Sequence, residues 1–187
     1  MNSISDFFLR AKHWLLFVLT FGLMMAAQIA VMVFIAAGPA SPEELFDKLT
    51  FVIFLVTLLS CFPLYSWLWV LGSFLSNLQR PDLRLSARFF QFAIIFPLPY
   101  IYLFFLVFQS KRPEMFLVIF PLHLFAMFCI FYVMYFVAKN LAQLENARRA
   151  TFSDYAGYFF LIWFYPVGVW IIQPKINRLY SAQHKLH

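Results

Sequence analysis

The sequence predicts an all-α, polytopic transmembrane helical bundle, and three observations carry that prediction. Hydrophobic residues make up 64% of the chain and charged residues 12%, against roughly a quarter charged in soluble domains. Apolar runs of about 20 residues, enough to cross roughly 30 Å of hydrocarbon as a helix, alternate with short charged clusters. The stretches between those runs are too short for a separate soluble domain. Residues 1–187 therefore read as one membrane domain whose function lies in helix packing, loops or the two ends.

Residues 1–13 suit a short amphipathic helix on the membrane surface, with Ser3 as its cap, Asp6 at the third helical position, and Phe7, Phe8 and Leu9 apolar. The first span, residues 14–37, follows Arg10 and Lys12. Small residues at 36–40 resemble a cleavage site, but a signal core runs about 7 to 15 residues, so this longer run reads as an uncleaved anchor. No lipidation or retention motif is visible at either end.

Ser41-Pro42-Glu43-Glu44 has the serine cap, first-turn proline and third-position glutamate of a helix start, ahead of a span over residues 50–76. A loop then leads to a third span, residues 89–109, where Pro97 and Pro99 remove backbone donors and predict a kink. The fourth span, residues 115–138, carries Pro121 and His123 and passes into a charged cytoplasmic helix over 139–150. Thr151-Phe152-Ser153-Asp154 is a fresh cap, and beyond it residues 155–173 form an aromatic-rich membrane segment interrupted at Pro166-Val167-Gly168.

That segment is either a fifth span or a re-entrant hairpin with arms of about eight residues, reaching about 12 Å in at helical rise. With the N-terminus in the cytoplasm, Arg10, Lys12, Arg80, Arg84, Arg88, Lys139, Arg148 and Arg149 lie inside, and Lys48, Lys111 and Arg112 outside. A crossing sends Lys175, Arg178 and Lys185 outside; a hairpin keeps them inside, which the positive-inside rule favours. Simple crossings are the commoner arrangement, so both topologies stand at this point.

The net charge of +6 is spread among loops, so no dense nucleic-acid face is expected. Arg80, Arg84 and Arg88 recur every four residues and in a helix would make one basic edge, suited to anionic headgroups at about 1 kcal/mol each; orienting the protein is the simpler explanation. Cys61 and Cys129 fall within apolar runs and act as small hydrophobes. His123 is the one ionisable side chain deep within a span, a functional candidate by position. With no carboxylate, histidine or thiol facing it in that span, a hydrogen bond to a neighbouring helix explains it more simply. Gln28 in the first span reads the same way, as interhelical glue.

Glu43-Glu44 is similar to the paired glutamates of intramembrane prenyl-protein proteases, whose pattern is EExxxR. Lys48 stands at the arginine position and His123 lacks the accompanying pattern. Negative charge in a first helical turn accounts for the pair. No catalytic motif is found, and neither cofactor nor metal is expected.

The most distinctive residues are C-terminal: Tyr155, then Trp163, Pro166, Gly168 and Trp170, then Gln173-Pro174-Lys175-Ile176-Asn177. Over about 40 residues this resembles the C-terminal signature WFxPxGxWxxQPxIN of a group of uncharacterised bacterial multi-pass membrane proteins. The resemblance implies a bacterial inner-membrane location and transfers no activity. Trp163 and Trp170, seven apart, are expected on one helical face, either as an aromatic belt on a kinked helix or as part of a broken helix lining a cavity.

The expected function is that of a non-enzymatic membrane protein acting through assembly, as a homo-oligomer or as an accessory subunit beside another membrane protein, with anionic lipids on its cytoplasmic side. A channel or transporter built from several copies is the second reading, with His123 and the C-terminal segment lining the pathway. A lipid-modifying enzyme is the third.

Overall fold

A computed structural model describes residues 3–36, 42–110, 112 and 114–184. Among them every regular element is helical, with no strand. α1 is Ser3–Arg10 and α2 is His13–Phe17, which runs through a π-helical turn, Val18–Gly22, into α3, Leu23–Ala36. Then come α4 (Pro42–Leu78), a 3₁₀ turn at Pro81–Leu83, α5 (Ala87–Ile95), α6 (Pro97–Gln109), α7 (Met115–Asn146), α8 (Phe152–Trp163) and α9 (Tyr165–His184).

Four stretches are long and apolar enough to cross a bilayer: His13–Val33, Thr50–Leu78, Ala87–Gln109 and Met115–Asn146. The chain is thus a multi-pass membrane protein, with all four expected spans formed. The third is interrupted where expected, between α5 and α6 at Phe96, immediately before Pro97. Within α4, Pro63 sits inside the helix without ending it. The expected cap at Ser41 and the end of the first span at Ala37 lie outside the described residues, as do the side chains of Glu43, Glu44, Asp47 and Lys48.

As expected, the fourth span continues as a helix into the charged stretch. α7 continues unbroken to Asn146 and stops where Ala147 turns left-handed at φ 51°, and Asn140, Leu141, Ala142 and Gln143 are buried. The helical edge expected of Arg80, Arg84 and Arg88 does not form: Arg80 and Arg84 flank the 3₁₀ turn in extended backbone, whereas Arg88 lies in α5, which Ser86 caps by accepting from the Phe89 N–H at 3.4 Å. α1 forms within the residues expected of it. Phe8 and Leu9 are buried, and the helix packs on α4 and α9. Ser3 is its first residue instead of its cap.

Residues 155–173 belong to two helices folded back on each other. α8 starts with a capping box: the Asp154 carboxylate accepts from the Thr151 N–H at 2.8 Å and from both Arg148 nitrogens at 2.9 Å. The Thr151 backbone and hydroxyl, followed by the Arg148 guanidinium, hold that carboxyl down at about 2. α8 then runs back along α7, with Tyr155 edge-on to Tyr135 and Trp163 stacked on Phe131 at 4.8 Å. The chain turns at Phe164, and α9 returns along α8, bringing Lys175 to Tyr158. The turn therefore precedes Pro166, which sits in the first turn of α9 where its missing N–H costs nothing. Trp163 and Trp170 lie on different helices, so the shared face expected of them does not exist. α8, at 12 residues, covers about 18 Å at helical rise.

Gly168 makes the hairpin this tight: a Cβ there would lie 1.7 Å from the Leu161 carbonyl oxygen. Gly157, on the same hairpin, has nothing within 4 Å of such a Cβ. Gly168→Ala is expected to cost about 1–3 kcal/mol by overpacking, whereas Gly157→Ala should gain about 0.5–1 kcal/mol. Thermal unfolding in detergent checks both; equal shifts would contradict the close approach.

Candidate functional site

Packing is uneven along the bundle axis. At the α1 end one continuous core joins Phe8, Leu9 and Leu16 with Trp67, Leu71 and Leu75 of α4, Phe90 of α5, Phe136 and Leu141 of α7, and Val169, Ile172 and Ile176 of α9. At the opposite end a small cluster, Tyr100, Val107, Ile119 and Ala126, joins α6 to α7. The C-terminal signature residues lie in the first region, where α9 meets the end of α1.

A helix leaves its last carbonyls without intrahelical donors. In α1 these are supplied from α9, by two amides spaced one helical turn apart. Gln173 Nε2 donates to the carbonyls of Phe8 at 2.9 Å and Ala11 at 3.1 Å. Asn177 Nδ2 donates to those of Ala11 at 3.2 Å and Arg10 at 3.3 Å. Gln173 Oε1 in turn accepts the indole N–H of Trp67 at 2.9 Å, and both side chains are fully buried. A turn further on, the Tyr180 hydroxyl donates to Asp6 at 2.9 Å, and the Arg10 guanidinium lies over the Tyr180 ring. α1, α4 and α9 are thus joined through one glutamine.

On another side of α9, Lys175 donates to Glu145 at 2.7 Å and to the Tyr158 hydroxyl at 2.5 Å, while Tyr158 donates to Glu145. This ties together the end of α7 and both arms of the hairpin. Desolvation acts to lower Lys175, but its bonds to Glu145 and Tyr158 outweigh it and hold the ammonium above its ordinary value. Glu145 and Tyr158 keep the lysine charged, the opposite of a nucleophilic or basic lysine.

A further polar layer lies between α4, α7 and the loop joining α4 to α5. Gln79 donates to the Asn140 carbonyl at 2.6 Å, and Gln143 to that of Leu83 at 3.1 Å. Side-chain oxygens of Asn140 and Gln143 are left buried without a partner among the described residues.

His123 and Gln28 lie elsewhere, in the loosely packed half. The His123 Nδ1 pairs with the Tyr100 hydroxyl of α6 at 2.7 Å, the interhelical bond expected of it, although the side chain is exposed. Gln28 departs from expectation: it is exposed and has no hydrogen-bond partner among the described residues. No three metal-ligating side chains come together among the described residues. Of the remaining candidates, Tyr155 packs on Tyr135 and faces Lys139, and Trp170 lies against His13 and Phe17 of α2. Pro174 lies within α9 between the two capping amides.

Sequence reasoning missed Trp67, Glu145, Tyr158 and Tyr180. For Trp67 a signal existed, since a buried indole N–H needs an acceptor. The others are joined by contacts across the fold that no local spacing encodes. The chain matches no family model, no curated protein and no solved structure.

Gln173→Leu leaves the Trp67 N–H and the Phe8 carbonyl unpaired, while the Ala11 carbonyl keeps Asn177, and is expected to cost about 2–4 kcal/mol. Denaturant unfolding, with limited proteolysis of the N-terminal segment, measures it. A loss below 0.5 kcal/mol on the order of a surface change, with the N-terminus still protected, would contradict the clamp.

Proposed function

We propose that this chain is a non-catalytic assembly subunit of a membrane complex, with its α1 end folded as a self-sufficient anchor and its opposite end offered to neighbours within the bilayer. The observation that carries this is α3, a segment of a membrane span in which no side chain described is buried. Met32 and Val33 are 68% and 63% exposed, as are Leu117 at 80% and Val118 at 72% on the first turn of α7. Helices in lipid are positioned by packing and by interhelical hydrogen bonds, since hydrocarbon tails are as apolar as leucine. α3 lacks a packing face sufficient to fix it from within the chain.

The basic residues orient the α1 end toward the cytoplasm. With the α8–α9 hairpin as a re-entrant element, Lys175, Arg178 and Lys185 join the eight basic residues on that side, and the positive-inside rule is satisfied. Arg80, Arg84 and Arg88 then meet anionic headgroups from the loop region, as separate contacts instead of one edge. The C-terminal resemblance supports a bacterial inner membrane. The channel reading has less behind it: Gln173 and Lys175, two of its lining candidates, are committed to bonds inside the chain.

Photocrosslinking from a benzophenone side chain at Met32 or Val33, in native membranes, is expected to give discrete protein adducts. The same probe at Val167 on the hairpin, 61% exposed, is the comparison position and should label lipid. Lipid adducts alone from Met32, Val33, Leu117 and Val118 would overturn the assembly role.

A further inference from the structure

Two exposed polar side chains in the loosely packed half complement each other. Gln28 lies eight residues before the end of α3 at Ala36, and His123 eight residues after the start of α7 at Met115. At helical rise both are about 12 Å in from the same end of the bundle. An amide facing hydrocarbon without a partner costs several kcal/mol on the order of the cyclohexane transfer scale, so Gln28 calls for a polar neighbour. Tyr100 occupies the Nδ1 of His123, and Nε2 has no partner among the described residues. If the Tyr100 hydroxyl donates, Nε2 carries the proton and is a donor; with the other tautomer Nε2 is an acceptor. A primary amide offers one acceptor and two donor hydrogens, so Gln28 fits either tautomer.

Within one chain the two are not bonded to each other. α3 packs on α4 and the π-helical turn, whereas α7 packs on α4, α5, α6 and α8. We propose that they meet between two copies of this chain, Gln28 of one bonding the His123 imidazole of the next at matched depth in the bilayer. Tyr100 orients the ring, and the exposed apolar residues around each, Ile29 and Met32 on α3 and Phe120 and Leu124 on α7, supply the packing. This rests on the assembly reading above and names its partner, a second copy, and its polar contact.

Two experiments test it. Chains bearing Gln28→Cys and chains bearing His123→Cys, both in a Cys61→Ala/Cys129→Ala background and differently tagged, are mixed in vesicles and oxidised. A 28–123 heteropair is expected, with little 28–28 product. Independently, energy transfer between labelled copies with the native cysteines, diluted in lipid, reports self-association without relying on the cysteine-free background. Gln28→Leu or His123→Leu should each weaken it about threefold to thirtyfold, the range for one interhelical hydrogen bond in lipid. The double variant should lose no more than either single one, and His123→Gln, which keeps a donor and an acceptor, should restore part of it.

Exclusive 28–28 crosslinking overturns the pairing in favour of a symmetric glutamine contact. Self-association unchanged by Gln28→Leu overturns it while leaving the assembly role intact. A chain that stays monomeric at every density yet gives protein adducts at Met32 ends the self-pairing and points to a different membrane protein as neighbour.

Discussion

The carboxamide of Gln173 is the constraint on which the packed half of this protein depends. It is fully buried, and burying an amide is tolerable only when its hydrogen-bonding groups are met. Here its oxygen accepts from Trp67 and its nitrogen serves two carbonyls at the end of α1. Each partner also needs the glutamine: the indole N–H has no water to turn to, and the carbonyls are those a helix terminus leaves open. The N-terminal helix, the second span and the C-terminal helix therefore hold one another in register. The hairpin turn at Phe164 is what allows α9 to come back to α1.

The same arrangement explains why packing is so unequal along the bundle. α8 and α9 reach back along α7 as far as Phe131 and Trp163, which places two additional helical arms beside the spans at the α1 end. Beyond that level no such filler exists among the described residues. There, α4 and α6 meet through Phe54 and Phe105, stacked at 4.3 Å, and α6 and α7 through a four-residue cluster, while α3 rests on α4 with none of its described side chains buried. Water-soluble proteins cannot leave so much apolar surface open; a membrane protein can, because lipid or another protein covers it.

Much of this was legible in the sequence, where the signal is local. Four spans follow from apolar length, the break before Pro97 from the missing donors, and the cap at Thr151–Asp154 from its residue spacing. The stretch from Trp163 to Asn177 stood out, yet its purpose did not, because Gln173 and Asn177 find their carbonyl partners 162 to 167 residues away in sequence and Gln173 finds Trp67 106 away. Two readings failed because periodicity was extended across a break: the arginines at 80, 84 and 88 across Pro81, and the tryptophans at 163 and 170 across the Phe164 turn. Continuation of the fourth span past Lys139 is legible in the sequence, but composition does not report that Asn140 and Gln143 lie in a buried polar layer. Gln28 reads as interhelical glue from its polarity at that depth, yet it has no hydrogen-bond partner among the described residues, since sequence reports polarity without reporting which helix lies opposite.

The joining of the two chain ends through α9 is tested most directly by the distance between them in a lipid bilayer. Phe7 and Ser181 are both exposed at the α1 end and accept spin labels without disturbing the Gln173 bonds. Pulsed dipolar spectroscopy should give one narrow short-distance distribution for the otherwise native chain, broadening when Gln173 is changed to Leu. A long distance, as a crossing C-terminal segment would give, or a narrow distribution indifferent to Gln173, would contradict it.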